Sequence, residues 1–315
     1  MASPAWALSC DTSVCGTASG VSQTASETVP PAQEDFNIGL AINYGLLYEG
    51  NGGKALNFNN STLNGAIGIG GTGTFKGNQP GSITGNIDFS SANTGQYSNN
   101  GLTLTGAVHY GVGAVATALN TVNLLSQTLG TESGTSTTIS SGGSVDASAG
   151  ALVNGDRIFT VTSVSFPNGT FTIHGAASDY VVFNIPFSAH LDGGIALAGG
   201  ITSDHVLFNF TPDPSHLTTY NNDYSTLSGG PTLTINTNGA TTSGIFLDPT
   251  GRFSVNHSLI LGRVFGGGDS HDVAFVSGAN LVAPKTQVPQ PAALLLFSTA
   301  LGTLGLKLRR DRRKA

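Results

Sequence analysis

The sequence places a carboxylate beside an imidazole in three places, and such pairs serve in metal ligation and acid–base catalysis. They are His190 with Asp192, Asp204 with His205, and Asp269 with His271 and Asp272. A metal site needs three or four converging ligands, and none of these groups has the i, i+4 spacing of a metal-binding helix. Alternate strand residues share a face, so His190 and Asp192 could supply half of a site. We interpret all three groups as solvated strand or turn residues, and we predict no catalytic residue, metal or cofactor.

Other chemical signatures are equally sparse. Residues 266–268 are three glycines followed by Asp269, which is typical of one calcium-binding turn, but a single copy cannot build a stacked site. The sequence shows no nucleophile elbow, P-loop or dinucleotide-binding fingerprint. Two carboxylates brought together by the fold could hydrolyse glycosides, but the spacing singles out no pair. A carbohydrate-active enzyme therefore stays an alternative to our prediction of a non-enzymatic protein.

Composition and charge exclude one class of partner. The chain has 315 residues, 44 of them Gly, only 10% charged, with a formal net charge of −6. Six of its 12 cations follow Pro291, where one acid stands, so the rest carries six cations against 17 acids. Phosphate contacts need clustered cations, so we predict no nucleic-acid partner.

The elements that must position any site are short strands. From Phe36 onward, apolar or alternating stretches of a few residues recur between Gly, Asn and Asp, for example at 82–89, 102–108, 180–185 and 259–264. Such spacing fits the coils of a solenoid. We predict an all-β fold, an irregular β-helix over residues 36–283, with a β-sandwich as the alternative.

One segment has helical spacing. Its apolar stripe, which predicts a flanking helix over about 112–129, comprises Val112, Val115, Ala116, Leu119, Val122, Leu125 and Leu129. Other helix faces carry Asn120, Thr121, Asn123 and Gln127. Gly130 is expected just beyond the helix end, and residues 131–150 are expected to form a loop or an irregular outer turn.

Threonine-rich strands suggest a further alternative. In TLTINT (232–237), Thr232, Thr234 and Asn236 share one face, while Leu233, Ile235 and Thr237 share the other. A Thr-x-Thr array repeated over several coils would suit ordered water and hence ice. We find one clean instance, with TSTT at 135–138 as a second candidate.

The C-terminal segment has three parts in a fixed order. Val288, Pro289, Gln290 and Pro291 come first, then an uncharged apolar run from Ala292 to Leu306, then a basic cluster. The cluster comprises Lys307, Arg309, Arg310, Arg312, Arg313 and Lys314. With Lys307 snorkelling, residues 292–308 are expected to form a marginal transmembrane helix, and 309–315 a cytoplasmic tail.

This order resembles the PEP-CTERM sorting signal of bacterial envelope proteins, although Gln290 stands where that family usually has an acidic residue. The resemblance implies an exosortase-type processing protease as a partner, with 284–291 as the linker and sorting motif. It also implies export, membrane anchoring, and later release to the cell surface or an extracellular matrix.

A second resemblance covers roughly residues 36–282. The order of GAIGIGGTGTF (65–75), SITGNIDF (82–89), the helix, DYVVFNIP (179–186), DHVLFNF (204–210) and SLILGRVFGGG (258–268) resembles choice-of-anchor A domains. It is also similar to ice-binding β-solenoids. Both resemblances imply an irregular β-helix. With the tail, they imply a structural or adhesive role in the envelope or a polysaccharide matrix, with ice binding as an alternative.

The first 35 residues are expected to be a signal-peptide remnant and a flexible lead-in. Ala5, Trp6 and Ala7 are typical of a cleavage end, although no charged or apolar region precedes them. Cys10 and Cys15 could form a local disulfide or remain free thiols.

Overall fold

Short strands separated by turns make up most of the structure, a computed structural model that describes residues 36–211, 230–268 and 272–284. The strands before the helix are β1 (Leu46–Tyr48), β2 (Ala55–Asn59), β3 (Thr62–Asn64), β4 (Ile67–Ile69), β5 (Thr74–Asn78), β6 (Ser82–Ile83), β7 (Ile87–Phe89), β8 (Tyr97–Asn100), β9 (Thr103–Leu104) and β10 (Val108–His109). Helix α1 follows at Gly113–Gly130.

A second series of strands follows the helix. These are β11 (Thr135–Ser140), β12 (Ser144–Asp146), β13 (Ala151–Val153), β14 (Asp156–Ser165), β15 (Thr170–His174), β16 (Val181–Ile185), β17 (Ala189–Leu191), β18 (Gly194–Ala198), β19 (Val206–Phe210), β20 (Thr232–Asn236), β21 (Thr241–Asp248), β22 (Arg252–Asn256), β23 (Leu259–Gly266), β24 (Val273–Val276) and β25 (Asn280–Val282). Short 3₁₀ turns lie at Gly39–Asn43, Asn51–Gly53, Thr94–Gln96, Ala147–Ala149 and Ser203–His205.

The strands wind into a β-helix with three faces. Face B is the seven-stranded parallel sheet β17-β20-β22-β24-β2-β5-β8. Face A contains β12, β15, β18, β25, β3, β6, β9 and the first halves of β21 and β23. Face C contains β11, β14, β16, β19, β1, β4, β7, β10 and the second halves of β21 and β23. The predicted β-helix with one flanking α-helix is confirmed.

The coils do not stack in sequence order. Strands β1–β10 wind from the middle of the stack to one end, and α1 runs back along face C. Strands β11–β25 then wind from the other end to the middle, where β23, β24 and β25 pair with β1, β2 and β3. An 18-residue helix spans about 27 Å, which matches five to six rungs spaced at about 4.8 Å.

Stacked aromatic rings fill the core of the coils made after the helix. Phe159, Phe183, Phe208 and Phe246 occupy equivalent register positions on neighbouring rungs. Successive ring centroids are 5.2, 5.1 and 5.0 Å apart, and the rings are nearly parallel. This repeated contact fixes the register of the strands that carry it.

Glycines form the corner between faces A and C. At Gly262, which has φ +151°, an added Cβ would lie 1.8 Å from the Gly244 carbonyl oxygen of the next coil. At Gly85 and Gly106, the same atom would lie 2.3 Å from the carbonyl oxygen of Gly65 and Gly85, respectively. Close backbone contact between coils therefore requires residues without a side chain at this corner.

Helix α1 packs on face C through an apolar stripe, and most residues of this stripe were predicted from the sequence. Val115, Leu119, Val122 and Leu129 are buried, whereas Ala116 is exposed. The helix also continues through Gly130, so the prediction that Gly130 lies just beyond the helix end was wrong. Ala118 is buried in place of Ala116, because the buried side of the helix is turned slightly from the predicted apolar stripe.

Polar side chains also fasten the helix to the coil. Ser126 Oγ donates to Asn209 Oδ1 at 2.6 Å, Asn209 Nδ2 donates to Asn184 Oδ1 at 2.9 Å, and Asn184 Nδ2 donates to the Leu129 carbonyl at 2.6 Å. Asn123, predicted on a helix face away from the apolar stripe, is fully buried. The helix therefore covers the middle rungs of face C, where β16, β19, β1 and β4 are buried throughout.

The predicted loop at 131–150 was also wrong. It contains β11 and β12, which pair in parallel with β14 and β15. Its polar composition is compatible with strands because these partners supply the backbone hydrogen bonds and only one face of the end coil packs inward.

Several predictions fall outside the described residues. These are the lead-in with Cys10 and Cys15, the sorting motif, the apolar run and the basic cluster. Across the part of the chain that the structure describes, no helix is both long and apolar enough to cross a membrane.

Candidate functional site

Two of the carboxylate–imidazole pairs, His190 with Asp192 and Asp204 with His205, lie on different parts of the coil. His190 is exposed on β17 in face B, and Asp192 is half-buried in the following turn. His205 lies in the 3₁₀ turn Ser203–His205, where it is half-buried, and its ring stacks on Tyr180 with centroids 4.1 Å apart. In the described ranges, no three His, Cys, Asp or Glu side chains gather as metal ligands would.

The third group is only partly described, since Asp269 and His271 lie outside the described residues. Asp272, which precedes β24 on face B, accepts a 2.8 Å hydrogen bond from the Ala55 backbone N–H. That bond lowers the pKa of the Asp272 carboxyl below its usual value, helped by nearby lysines. The residue is therefore a fixed surface anion.

Faces A and B are the two broad surfaces that α1 leaves uncovered. Face B carries ionised side chains across its width, because Lys76, Arg252 and Asp272 are all exposed. The TLTINT strand, β20, alternates as predicted, with Leu233 and Ile235 fully buried. However, its neighbours in register are Arg252, Ser254 and Asn256, so the threonine pattern is not repeated on the adjacent coil.

Face A has a different character, because its outward positions form two uncharged rows. The first row comprises Thr170, Gly194, Thr241, Leu259, Asn280, Thr62, Ser82 and Thr103. The second comprises Thr172, Ala196, Ser243, Leu261, Val282, Asn64, Thr84 and Thr105. Asp146 and His174 lie at the margin of the face near one end.

The end of face A formed by β3, β6 and β9 is rich in hydroxyl groups. Thr62, Ser82 and Thr103 align across the three strands. In the second row, Thr84 Oγ1 donates to Asn64 Oδ1 at 3.0 Å. Side chains repeat at about 4.8 Å between coils and about 6.6 Å along each strand. Threonine suits such an array because its branched side chain holds few rotamers.

A short sequence repeat that was not predicted marks this array. Residues 62–65 read TLNG, 82–85 read SITG and 103–106 read TLTG. In each, the first and third residues point outward, the aliphatic second residue points into the core, and the glycine forms the corner. The variable spacing between copies concealed the repeat.

The middle of face A is more apolar. Leu259, Leu261 and Val282 lie between the hydroxyl-bearing rungs, and 36% of the Leu261 surface is exposed. A surface of methyl and hydroxyl groups without charges can hold water in a regular layer without imposing the tight hydration shells of ions. Face A is therefore the candidate functional site.

The fold has known counterparts among solved structures. An ice-binding protein from the Antarctic ascomycete Antarctomyces psychrotrophicus matches with a TM-score of 0.54 and 16% identity, over 80% of this chain and 100% of that one. An ice-binding protein from an Arctic yeast matches at 0.50 and 17%, over 82% and 99% of the two chains. A third, from an Antarctic biological consortium, matches at 0.50 and 14%, over 81% and 93%.

At these identities, the likeness establishes a shared β-helix fold. No protein-family model matches the chain. No curated protein matches it either.

Proposed function

We propose that this protein binds ice through face A. The observation that carries the proposal is the pair of uncharged rows on face A, in which hydroxyl-bearing side chains align over β3, β6 and β9 at about 4.8 Å between coils and about 6.6 Å along each strand. Waters held on these groups can join a growing ice lattice with little rearrangement. The proteins that share the fold bind ice, which supports the same assignment.

The parallel coils keep this surface regular. Pairing along face A carries no register shift in β3, β6, β9, β25 and β23, whereas face C has one between Thr137 and Thr138. A fixed register keeps the outward side chains in straight rows. The TSTT segment on β11 lies at this shift and is a poorer template than the three aligned strands.

Face B supports ice binding less well. The charged side chains of Lys76, Arg252 and Asp272 hold their own hydration, and removing that water costs free energy that neutral groups do not lose. The structural or adhesive role favoured by the sequence therefore gives way, in our proposal, to the ice-binding alternative.

The proposal is tested by partition into growing ice. A solution of the full-length chain is frozen slowly around a cooled probe, together with a soluble protein of similar size that has no affinity for ice. We expect enrichment of the chain in the ice fraction and exclusion of the reference protein. Equal exclusion of both proteins would overturn the proposal.

We also propose that the chain is exported and held in the envelope by residues 288–315. Support comes from the order of Pro-bracketed motif, apolar run and basic cluster in the sequence. Deleting 288–315 is expected to release the protein into the medium. Retention of the deletion variant in the envelope fraction would contradict this anchor.

A further inference from the structure

A shallow groove runs along the corner where face B turns into face A. It consists of two hollows of about 340 and 250 Å³ that share Gly278 and Asn280 in their walls. The walls are the turns that follow β20, β22, β24, β2 and β5, which are consecutive strands of face B. Five coils at about 4.8 Å give the groove a length of about 19 Å.

The turn conformations create this groove. Asn60 and Asn238 have φ of 48° and 51°, and Gly239 and Gly278 each have φ of 84°. These left-handed residues turn the backbone sharply between the two faces. At Gly239 and Gly278, an added Cβ would meet nothing within 4 Å, so the space beside them is open.

The groove lining is mostly polar. Its outward groups are amides, a hydroxyl, an imidazole and two apolar side chains: Asn60, Asn238, Asn280, Thr62, His257, Pro80 and Leu259. Among these described lining residues there is no carboxylate, ammonium or guanidinium group. The groove is thus suited to a neutral ligand with many hydroxyl groups, because amides both donate and accept hydrogen bonds.

Three backbone N–H groups of the groove already bond to neighbouring coils. The N–H groups of Gly239, Gly278 and Asn280 donate to the carbonyls of His257, Asn60 and Ser258, respectively. A peptide that binds by adding a strand needs a free strand edge, and these turns offer side chains instead. This chemistry favours a sugar chain over a peptide.

We propose that this corner groove binds a neutral polysaccharide lying along the coil axis. The amide groups bond the sugar hydroxyls, and Pro80 and Leu259 contact the apolar faces of the rings. The site is separate from the proposed ice-binding function, although Thr62, Leu259 and Asn280 belong to both surfaces. The tests therefore use residues that belong to the groove alone.

The test combines Asn60→Gly and Asn238→Gly in one full-length variant. Glycine keeps the positive φ at both positions, so the change removes two amides and preserves the turns. Asn154→Gly is the matched control, since Asn154 is exposed with φ 52° in the turn between β13 and β14, away from the groove. Affinity electrophoresis through gels containing dextran, hydroxyethyl cellulose or alginate gives the dissociation constants.

We expect the wild-type chain to be retarded by at least one of the two neutral polymers and not by anionic alginate. The double variant should bind at least about tenfold more weakly, while Asn154→Gly binds like the wild type. Partition into ice should be unchanged in both variants, which separates this site from face A. The proposal is overturned if neither neutral polymer retards the wild type, if the double variant binds equally well, or if a neutral Gly-Ser peptide competes for the site.

Discussion

Asn123 Nδ2 donates a 2.7 Å hydrogen bond to Glu49 Oε1 in the seam between helix α1 and face C. Glu49 is 2% exposed and Asn123 is fully buried. Burial raises the pKa of Glu49 from 4.5 to about 8, although the bond from Asn123 acts in the opposite direction. At neutral pH, the folded protein therefore holds a proton that the unfolded chain releases.

This raised pKa predicts a pH-dependent stability. The free energy of unfolding should fall as pH rises from about 4.5 to about 8, by up to about 1.4 kcal/mol per pH unit. Glu49→Gln keeps an acceptor for Asn123 but cannot ionise, so it should remove this slope and raise Tm at pH 9. Thermal melts from pH 4 to 9 measure the effect. Glu132→Gln is the control, and equal slopes in the wild type and Glu49→Gln would refute the prediction.

The asparagine network beneath the helix predicts a large loss of stability on truncation. Asn209→Ala leaves Ser126 and Asn184 with buried groups that lose their partner, at a cost of about 3 kcal/mol. Urea denaturation followed by circular dichroism measures the change. Thr117→Ala on the exposed side of the same helix should shift stability by less than about 0.5 kcal/mol. A similar small loss for Asn209→Ala would mean that the network does not hold the helix.

The glycine corner predicts a backbone clash. Gly262→Ala brings a Cβ to 1.8 Å from the Gly244 carbonyl oxygen, so the two coils must separate. We expect a loss of more than about 4 kcal/mol, seen as a lower urea midpoint or failure to recover folded protein. Gly113→Ala, where the Cβ meets nothing within 4 Å, should change stability by less than about 1 kcal/mol. Wild-type stability in Gly262→Ala would show that the corner tolerates a side chain.

The sequence predicted the β-helix and its helix because both have local signatures. Val115, Leu119 and Val122 repeat at helical spacing, and Leu233 and Ile235 alternate as a half-buried strand does. These patterns depend only on which side of one element faces the core.

The stacking order of the coils has no local signature. Val276 pairs with Asn59 and Val264 with Leu46, across more than 200 residues of chain. For the same reason, the sequence could not show that Thr62, Ser82 and Thr103 align, since this depends on the lengths of the turns between them. TLTINT could be recognised because Thr232 and Thr234 lie on one strand, whereas the face A array is spread over three strands.

Placing a charged side chain on face A or on face B tests most directly whether face A binds ice. Thr84 lies in the second row of face A, and Thr234 lies at the centre of strand β20 on face B, on the opposite side of the groove. Thermal hysteresis is measured for the full-length wild type, Thr84→Lys and Thr234→Lys at equal concentration, after circular dichroism confirms that each is folded. If face A binds ice, Thr84→Lys lowers hysteresis by about tenfold or more, because an ammonium group cannot lose its hydration at that surface, and Thr234→Lys keeps the wild-type value. Full hysteresis in Thr84→Lys together with its loss in Thr234→Lys would contradict the account and move the ice-binding site to face B.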